Sequence, residues 1–390
     1  MESIISIDNQ YVANTYARFP LELVSGEGSL LTDVNGKQYI DMGSGIGVTC
    51  FGFNDKEWKD AVKAQLDKVQ HTSNLYYTSP CALLAKALSE RTGMKKVFFS
   101  NSGAEANECA IKAARKYSAE KKGADCLTVI TLTNSFHGRT LTTLAATGQD
   151  VFHKLFQPLT PGFIHTAAND SEALIKLVAE TNPAAIMIEC VQGEGGVLPI
   201  TKEFAATVAA LTEKYDIPLI VDEVQTGNGR TGSLYAYMQY GLQPDIVSTA
   251  KGLGGGLPIG ATLLGAKVEN VLKAGDHGST YGGNPVCSAG ALSVIERLTP
   301  AFLAEVKEKS NYIFSELEGA SGIESVSGMG LMIGIKTKKE AKAVVAACIE
   351  KGVICLTAKD KVRLLPALNI PMETLKQAIA VIKTACAEGE

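Results

Sequence analysis

Apolar and polar positions divide the chain into two textures. From about residue 96 to residue 265, short apolar runs alternate with stretches of helical periodicity. The runs at 96–100, 127–132, 185–189, 218–222, 246–248 and 262–265 read as strands, and 104–116, 171–180 and 202–215 as helices between them. Strand–helix alternation of this kind builds a mostly parallel sheet with helices on its faces. Ahead of it, helical patterns cover 57–69 and 81–92, and Asn35-Gly36 between two alternating runs marks a hairpin turn. After residue 300 the pattern becomes α+β: helices at 301–318, 338–351 and 372–388, a strand-like run at 328–335 and an apolar stretch at 353–356. The expectation is an α/β fold with a large domain over 50–295. Residues 1–49 and 296–390 would form a smaller α+β domain.

Composition narrows the function. A length of 390 residues allows a large core with a satellite. A net charge of −4 leaves no basic excess to neutralise phosphates, so nucleic acid is not an expected partner. Met1-Glu2-Ser3-Ile4-Ile5 has no basic signal-type region, and no apolar run approaches the ~20 residues that span a bilayer. Nine cysteines without a CxxC pair predict free thiols in a reducing cytoplasm, and the five histidines show no metal-ligand spacing.

The chemistry gathers after the strands. Asn101-Ser102-Gly103-Ala104, Asn134-Ser135-Phe136-His137-Gly138-Arg139, Glu189-Cys190-Val191-Gln192-Gly193-Glu194, Asp222-Glu223-Val224-Gln225 and Ala250-Lys251-Gly252 each follow a predicted strand. In open α/β sheets the carboxyl ends of the strands form the ligand crevice, so these segments converge. Ser102-Gly103-Ala104 opens a helix, where free N–H groups can hold a phosphate, although an ordinary N-cap has the same pattern. Asp222 ends a very apolar run and needs a cationic partner, either a protonated pyridine nitrogen or a basic side chain. Phe136 offers a face to a flat ring, or is simple core. Lys251, flanked by small residues, has room to bind an aldehyde as a Schiff base. Together they describe a site for pyridoxal phosphate. Neither G-x-G-x-x-G nor the P-loop pattern is met by the glycine-rich stretches, Gly43-Ser44-Gly45-Ile46-Gly47 included.

With these motifs and Gly278-Ser279-Thr280-Tyr281-Gly282-Gly283-Asn284-Pro285, the sequence resembles the class III aminotransferases of fold type I over essentially its whole length. Within them it is most similar to the N-acetylornithine group. The resemblance implies that Lys251 holds the cofactor aldehyde and moves the substrate proton. It assigns Asp222 to the pyridine nitrogen, Gln225 to the ring hydroxyl and Phe136 to the ring face. Ser102, Gly103 and Ala104 serve the phosphate, and Glu223 and Val224 join the cofactor set. Thr280 reaches the phosphate of a neighbouring subunit, which implies a homodimer.

For the substrate, the resemblance implies that Arg139 binds a carboxylate with Ser279 nearby, and that Arg363 pairs with Glu194. Tyr16 joins the substrate set. The implied reaction moves the terminal amine of N-acetylornithine to 2-oxoglutarate, in arginine biosynthesis. Ornithine, succinylornithine, 4-aminobutyrate and lysine-derivative enzymes share most of these motifs, and a non-catalytic cofactor-binding homologue is the alternative of another class. Asn228 occupies a place where methionine is frequent in relatives.

Overall fold

The computed structural model describes residues 3–387. A seven-stranded sheet lies at its centre, in the spatial order Lys96–Ser100, Gly260–Leu264, Ile246–Thr249, Leu219–Asp222, Ala185–Ile188, Val129–Leu132, Phe163–Thr166. All the strands run parallel except Gly260–Leu264, which is antiparallel to both neighbours. Val129–Leu132, Ala185–Ile188, Leu219–Asp222 and Ile246–Thr249 are buried at every position. Burial on both faces explains why they read as continuous apolar runs rather than alternating ones.

Helix Gly103–Lys122 covers one face of this sheet, against Ile246–Thr249 and Gly260–Leu264. Its buried side includes Ala106, Ala110, Ala113 and Ala114, small residues that let the helix lie close to the strands. The start is fixed by a reciprocal cap. The Ser102 hydroxyl accepts from the Glu105 N–H at 3.2 Å, and the Glu105 carboxylate accepts from the Asn101 N–H at 2.7 Å.

Several elements differ from the sequence expectation. The run at 127–132 pairs only from Val129, because the Leu127 carbonyl is taken by the Arg115 guanidinium at 3.0 Å. The edge strand Phe163–Thr166 has no apolar run to announce it; its residues are mostly half-buried and include His165. The strand-like run at 328–335 is a hairpin, Ile323–Met329 returning as Met332–Thr337 through Gly330 at φ +59°. Apolar Met329 and Leu331 on either side of that glycine disguise the turn.

The stretch at 353–356 also divides. Val353–Ile354 pairs parallel with Gln38–Asp41, in a sheet whose other strands are Leu23–Glu27 and Leu30–Asp33. Leu356–Ala358 pairs instead with Lys361–Leu364, in the sheet that contains the 323–337 hairpin. The Asn35-Gly36 turn closes as expected, with the Asp33 carboxylate accepting from the Asn35 and Lys37 N–H groups at 2.9 Å. The last helix is Met372–Ala387; residue 388 of the expected helix lies outside the described residues. Among the described residues no single helix is long and apolar enough to cross a membrane.

Candidate active site

A cavity of about 460 Å³ opens at the carboxyl ends of the central strands. Its wall includes Ser102, Gly103, Ala104, Phe136, Arg139, Glu194, Asp222, Val224, Gln225 and Lys251. The segments that the sequence placed after separate strands therefore do meet.

Lys251 leaves Ile246–Thr249 through Ala250 and sits at φ +46°, a left-handed conformation. That region costs a non-glycine residue roughly 1–3 kcal/mol and persists only where the surroundings fix it. Here the Leu253 N–H donates to the Ala250 carbonyl and the Gly254 N–H to that of Lys251, both at 3.0 Å. Asn228 adds a clamp: its Nδ2 donates to Thr249 Oγ1 at 2.9 Å and to the Ala250 carbonyl at 3.1 Å. Gly252 is required, since a Cβ there would lie 2.6 Å from Cys50 Sγ. Burial lowers the Lys251 pKa below the ordinary lysine value, with Glu194 and Asp222 pulling it back up in part. The amine is thereby brought closer to its nucleophilic form.

Asp222 is buried at the end of its strand and held by three hydrogen bonds. Its Oδ2 meets His137 Nδ1 and the Asn107 amide, each at 2.8 Å, and Oδ1 accepts from the Val224 N–H at 2.9 Å. Burial disfavours the His137 cation, but the hydrogen bond and charge of Asp222 outweigh it and raise the imidazole pKa. His137 Nε2 and Asn107 Oδ1 are both buried without partners. Gly103, the first residue of its helix, packs against the Asp222 segment so closely that a Cβ would lie 2.6 Å from Val224 Cγ1. The free N–H groups of a helix start are thus held beside the carboxylate.

At the other end of the cavity stand two arginines. Arg139 is exposed, its guanidinium 4.1 Å from the Phe152 ring centre and 5.5 Å from that of Phe136. Arg363 is buried behind the wall; its Nη1 donates to Glu194 at 2.5 Å and to Gln225 Oε1 at 3.2 Å. Burial pushes the Glu194 pKa up, but Arg363 more than reverses this and leaves it below the ordinary carboxylate value. Arg363 Nε is buried and unpartnered.

Five expected site residues do not line this cavity: Arg363, behind its wall, and four others. Glu223 is fully buried on the far side of its strand, accepting from Thr226 Oγ1 at 2.5 Å and the Tyr237 N–H at 2.8 Å. Burial pushes its pKa up to about 7. Ser279 Oγ accepts from the Gly282 N–H at 2.9 Å and the Asn101 amide at 3.2 Å. Exposed Thr280 lines a separate cavity of about 270 Å³, with Tyr76 and Tyr77. Tyr16 is 70% exposed.

The structure adds lining residues that sequence reasoning missed. Glu189, buried on the wall, ends an apolar strand just as Asp222 does, which was a usable signal. Its carboxylate accepts from the Phe136 N–H at 3.0 Å, and burial raises its pKa. Asn107 is a polar residue on the sheet-facing side of its helix. Val48 reaches the cavity because Ser44, Gly45, Ile46 and Gly47 all have positive φ, a left-handed turn within the glycine-rich stretch.

Residues 11–386 match the family model "Aminotransferase class-III". The chain is 50% identical over 389 residues, 99% of each chain, to an acetylornithine aminotransferase of Haemophilus ducreyi. It is 42% identical to one of Methanocaldococcus jannaschii, over 97% of this chain and 96% of that one. Among solved structures, the N-acetylornithine aminotransferase of Stenotrophomonas maltophilia superposes with a TM-score of 0.85 at 34% identity, covering 98% of each chain. The ornithine aminotransferase of Toxoplasma gondii ME49 gives 0.94 at 30% identity, over 98% of this chain and 94% of that one. The sheet, the cavity at its strand ends and a match along nearly the whole chain lead to one conclusion: the chain belongs to the class-III aminotransferase family.

Proposed function

We propose that the chain transfers the terminal amino group of N2-acetyl-L-ornithine to 2-oxoglutarate, giving N-acetylglutamate 5-semialdehyde and L-glutamate, with pyridoxal 5'-phosphate in the cavity. The residues fit that cofactor. A lysine with a lowered pKa, a buried carboxylate, a helix start closed by a mandatory glycine and a half-buried aromatic ring surround one space. Lys251 would hold the aldehyde, Asp222 would pair with the pyridine nitrogen, and the Gly103 and Ala104 N–H groups with Ser102 would bind the phosphate. Phe136, Val224 and Gln225 border the ring. When bound, the cofactor supplies an electron sink for the carbanion that the substrate forms. Lys251 removes and returns the proton on the carbon that carries the amine.

One observation favours this substrate pair: one arginine is open at the cavity while the other is covered by Glu194 at 2.5 Å. N-Acetylornithine has one carboxylate, far from its reacting amine. Glutamate has two, one beside its amine. Arg139 takes the distal carboxylate of either substrate, as a planar guanidinium can in two parallel bonds. Glu194 covers Arg363 for the first substrate and releases it for glutamate. The similar acetylornithine aminotransferases, matched over nearly the whole chain, support the same reading.

The proposed working unit is a homodimer in which Thr280 completes the neighbour's phosphate site. Support comes from the exposed side chains near Thr280: Tyr76 and Tyr77, 71% and 106% exposed, and Tyr281 at 61%. Residues 50–295 are proposed as the cofactor-binding domain, with 1–49 and 296–390 as the smaller one. Nine free cysteines support a cytoplasmic location.

The test is kcat/KM for N-acetylornithine, ornithine, succinylornithine and 4-aminobutyrate with 2-oxoglutarate. The first should lead. Another amine ahead of it would replace the substrate, and no turnover with any would leave a non-catalytic homologue.

A further inference from the structure

The turn that carries Glu194 is pinned at its far end. Three residues after Glu194, Val197 is fully buried and has φ +54°. For a β-branched residue this is a genuine outlier, held only where packing enforces it. The enforcing contact lies on the 323–337 hairpin. Ser327, Gly334 and Arg363 are successive cross-strand partners, so they share one face of that sheet. Gly334 leaves a notch in this row, and Val197 fills it: a Cβ on Gly334 would lie 2.8 Å from Val197 Cβ and 3.1 Å from its Cγ2.

Both flanks of the notch grip the same turn. On one side the Ser327 hydroxyl donates to the Val197 carbonyl at 2.8 Å and accepts from Lys361 Nζ at 2.7 Å. On the other side Arg363 binds Glu194 at 2.5 Å. Gly195, between them, approaches so closely that a Cβ would lie 2.5 Å from the Asn134 carbonyl oxygen. The backbone of the turn is thus fixed independently of the ion pair.

We propose that Val197, seated in the Gly334 notch between Ser327 and Arg363, is the positioning contact that sets Glu194 over Arg363 and so governs discrimination between mono- and dicarboxylate substrates. This rests on the two-arginine reading given above. With the backbone pinned, Glu194 uncovers Arg363 by rotating its side chain, and the turn does not swing. The depth at which Val197 seats then sets how readily Arg363 is covered.

Gly334→Ala places a methyl where Val197 sits and lifts the turn. Two readouts apply to the holoenzyme: the ratio of kcat/KM for the glutamate and N-acetylornithine half-reactions, and calorimetric binding of glutarate, a dicarboxylate with no amine. In Gly334→Ala the ratio should move toward glutamate by about fivefold or more, and glutarate should bind correspondingly tighter. Adding Val197→Gly removes the Cβ that the methyl would meet, lets the methyl take its place, and should return both to within about twofold of the parent. Val197→Gly alone relieves the left-handed strain and removes the knob, so it should shift both readouts in the same direction as Gly334→Ala.

An unchanged ratio in folded Gly334→Ala, or a double variant no nearer the parent, overturns the proposal. If Gly334→Ala does not fold, an unchanged ratio in Val197→Gly does so. Failure of the parent enzyme to use N-acetylornithine would defeat the substrate reading instead, and the glutarate titration would still decide whether the notch controls Arg363.

Discussion

The two ends of the cavity are built differently. At the lysine end, Lys251, Asp222 and the 103–122 helix start come off one sheet, the first two from strands buried at every position. Each group is fixed by several hydrogen bonds: Asp222 by His137, Asn107 and the Val224 N–H, and the Lys251 turn by its own backbone and Asn228. At the arginine end, Arg363 comes from another sheet, Glu194 from a turn, and Arg139 from a loop leaning on Phe152. Chemistry that never changes during a cycle sits on the rigid sheet. Recognition that must alternate between two substrates sits where separate elements meet.

The sharpest way to break this comparison is at the lysine. Lys251→Ala should lower transamination by at least about 10³-fold, and borohydride should no longer fix the cofactor to the chain. Retained turnover would move the chemistry elsewhere. Asp222→Ala should follow, with a loss of about 10²-fold in kcat/KM as a preorganised charge is removed. It should also destabilise the protein by about 1–3 kcal/mol, read by chemical denaturation, because His137, the Asn107 amide and the Val224 N–H would lose their buried acceptor. Glu194→Ala acts at the other end. It should change the relative efficiency for glutamate and N-acetylornithine by about tenfold.

A smaller effect concerns pH and the rigid end. The folded-state pKa of Glu223 is raised to about 7 from 4.5, so the folded state holds this proton more tightly than the unfolded chain. Its contribution to stability is complete below pH 4.5 and is lost as pH rises through about 7. The loss amounts to roughly 3 kcal/mol or less, at 1.36 kcal/mol per pK unit. Glu223→Gln should therefore flatten the fall in Tm between pH 5 and pH 8.5, by about 2–4 °C or more. An unchanged pH dependence would show that Glu223 is not what titrates.

The same contrast explains what the sequence made legible. Lys251, Asp222 and Ser102 follow apolar runs directly, so strand ends alone placed them together. His137 and Asn107 converge on Asp222 from a loop and a helix interior, where no local pattern signals a shared partner. Glu223 follows Asp222 in sequence yet points to the opposite side, as neighbours at a strand end do. Val197 and Gly334 meet across 137 residues through a register no periodicity encodes. The hairpin at Gly330 was hidden because its flanks are as apolar as its strands.

The most direct test is to measure both half-reactions in Arg363→Ala. The division between a fixed lysine end and a switching arginine end predicts a fall in kcat/KM for glutamate of about tenfold to a hundredfold, the worth of a lost charged hydrogen bond. N-Acetylornithine should stay within about threefold of the parent, because Glu194 covers Arg363 when that substrate binds. An equal fall for both substrates would contradict the account.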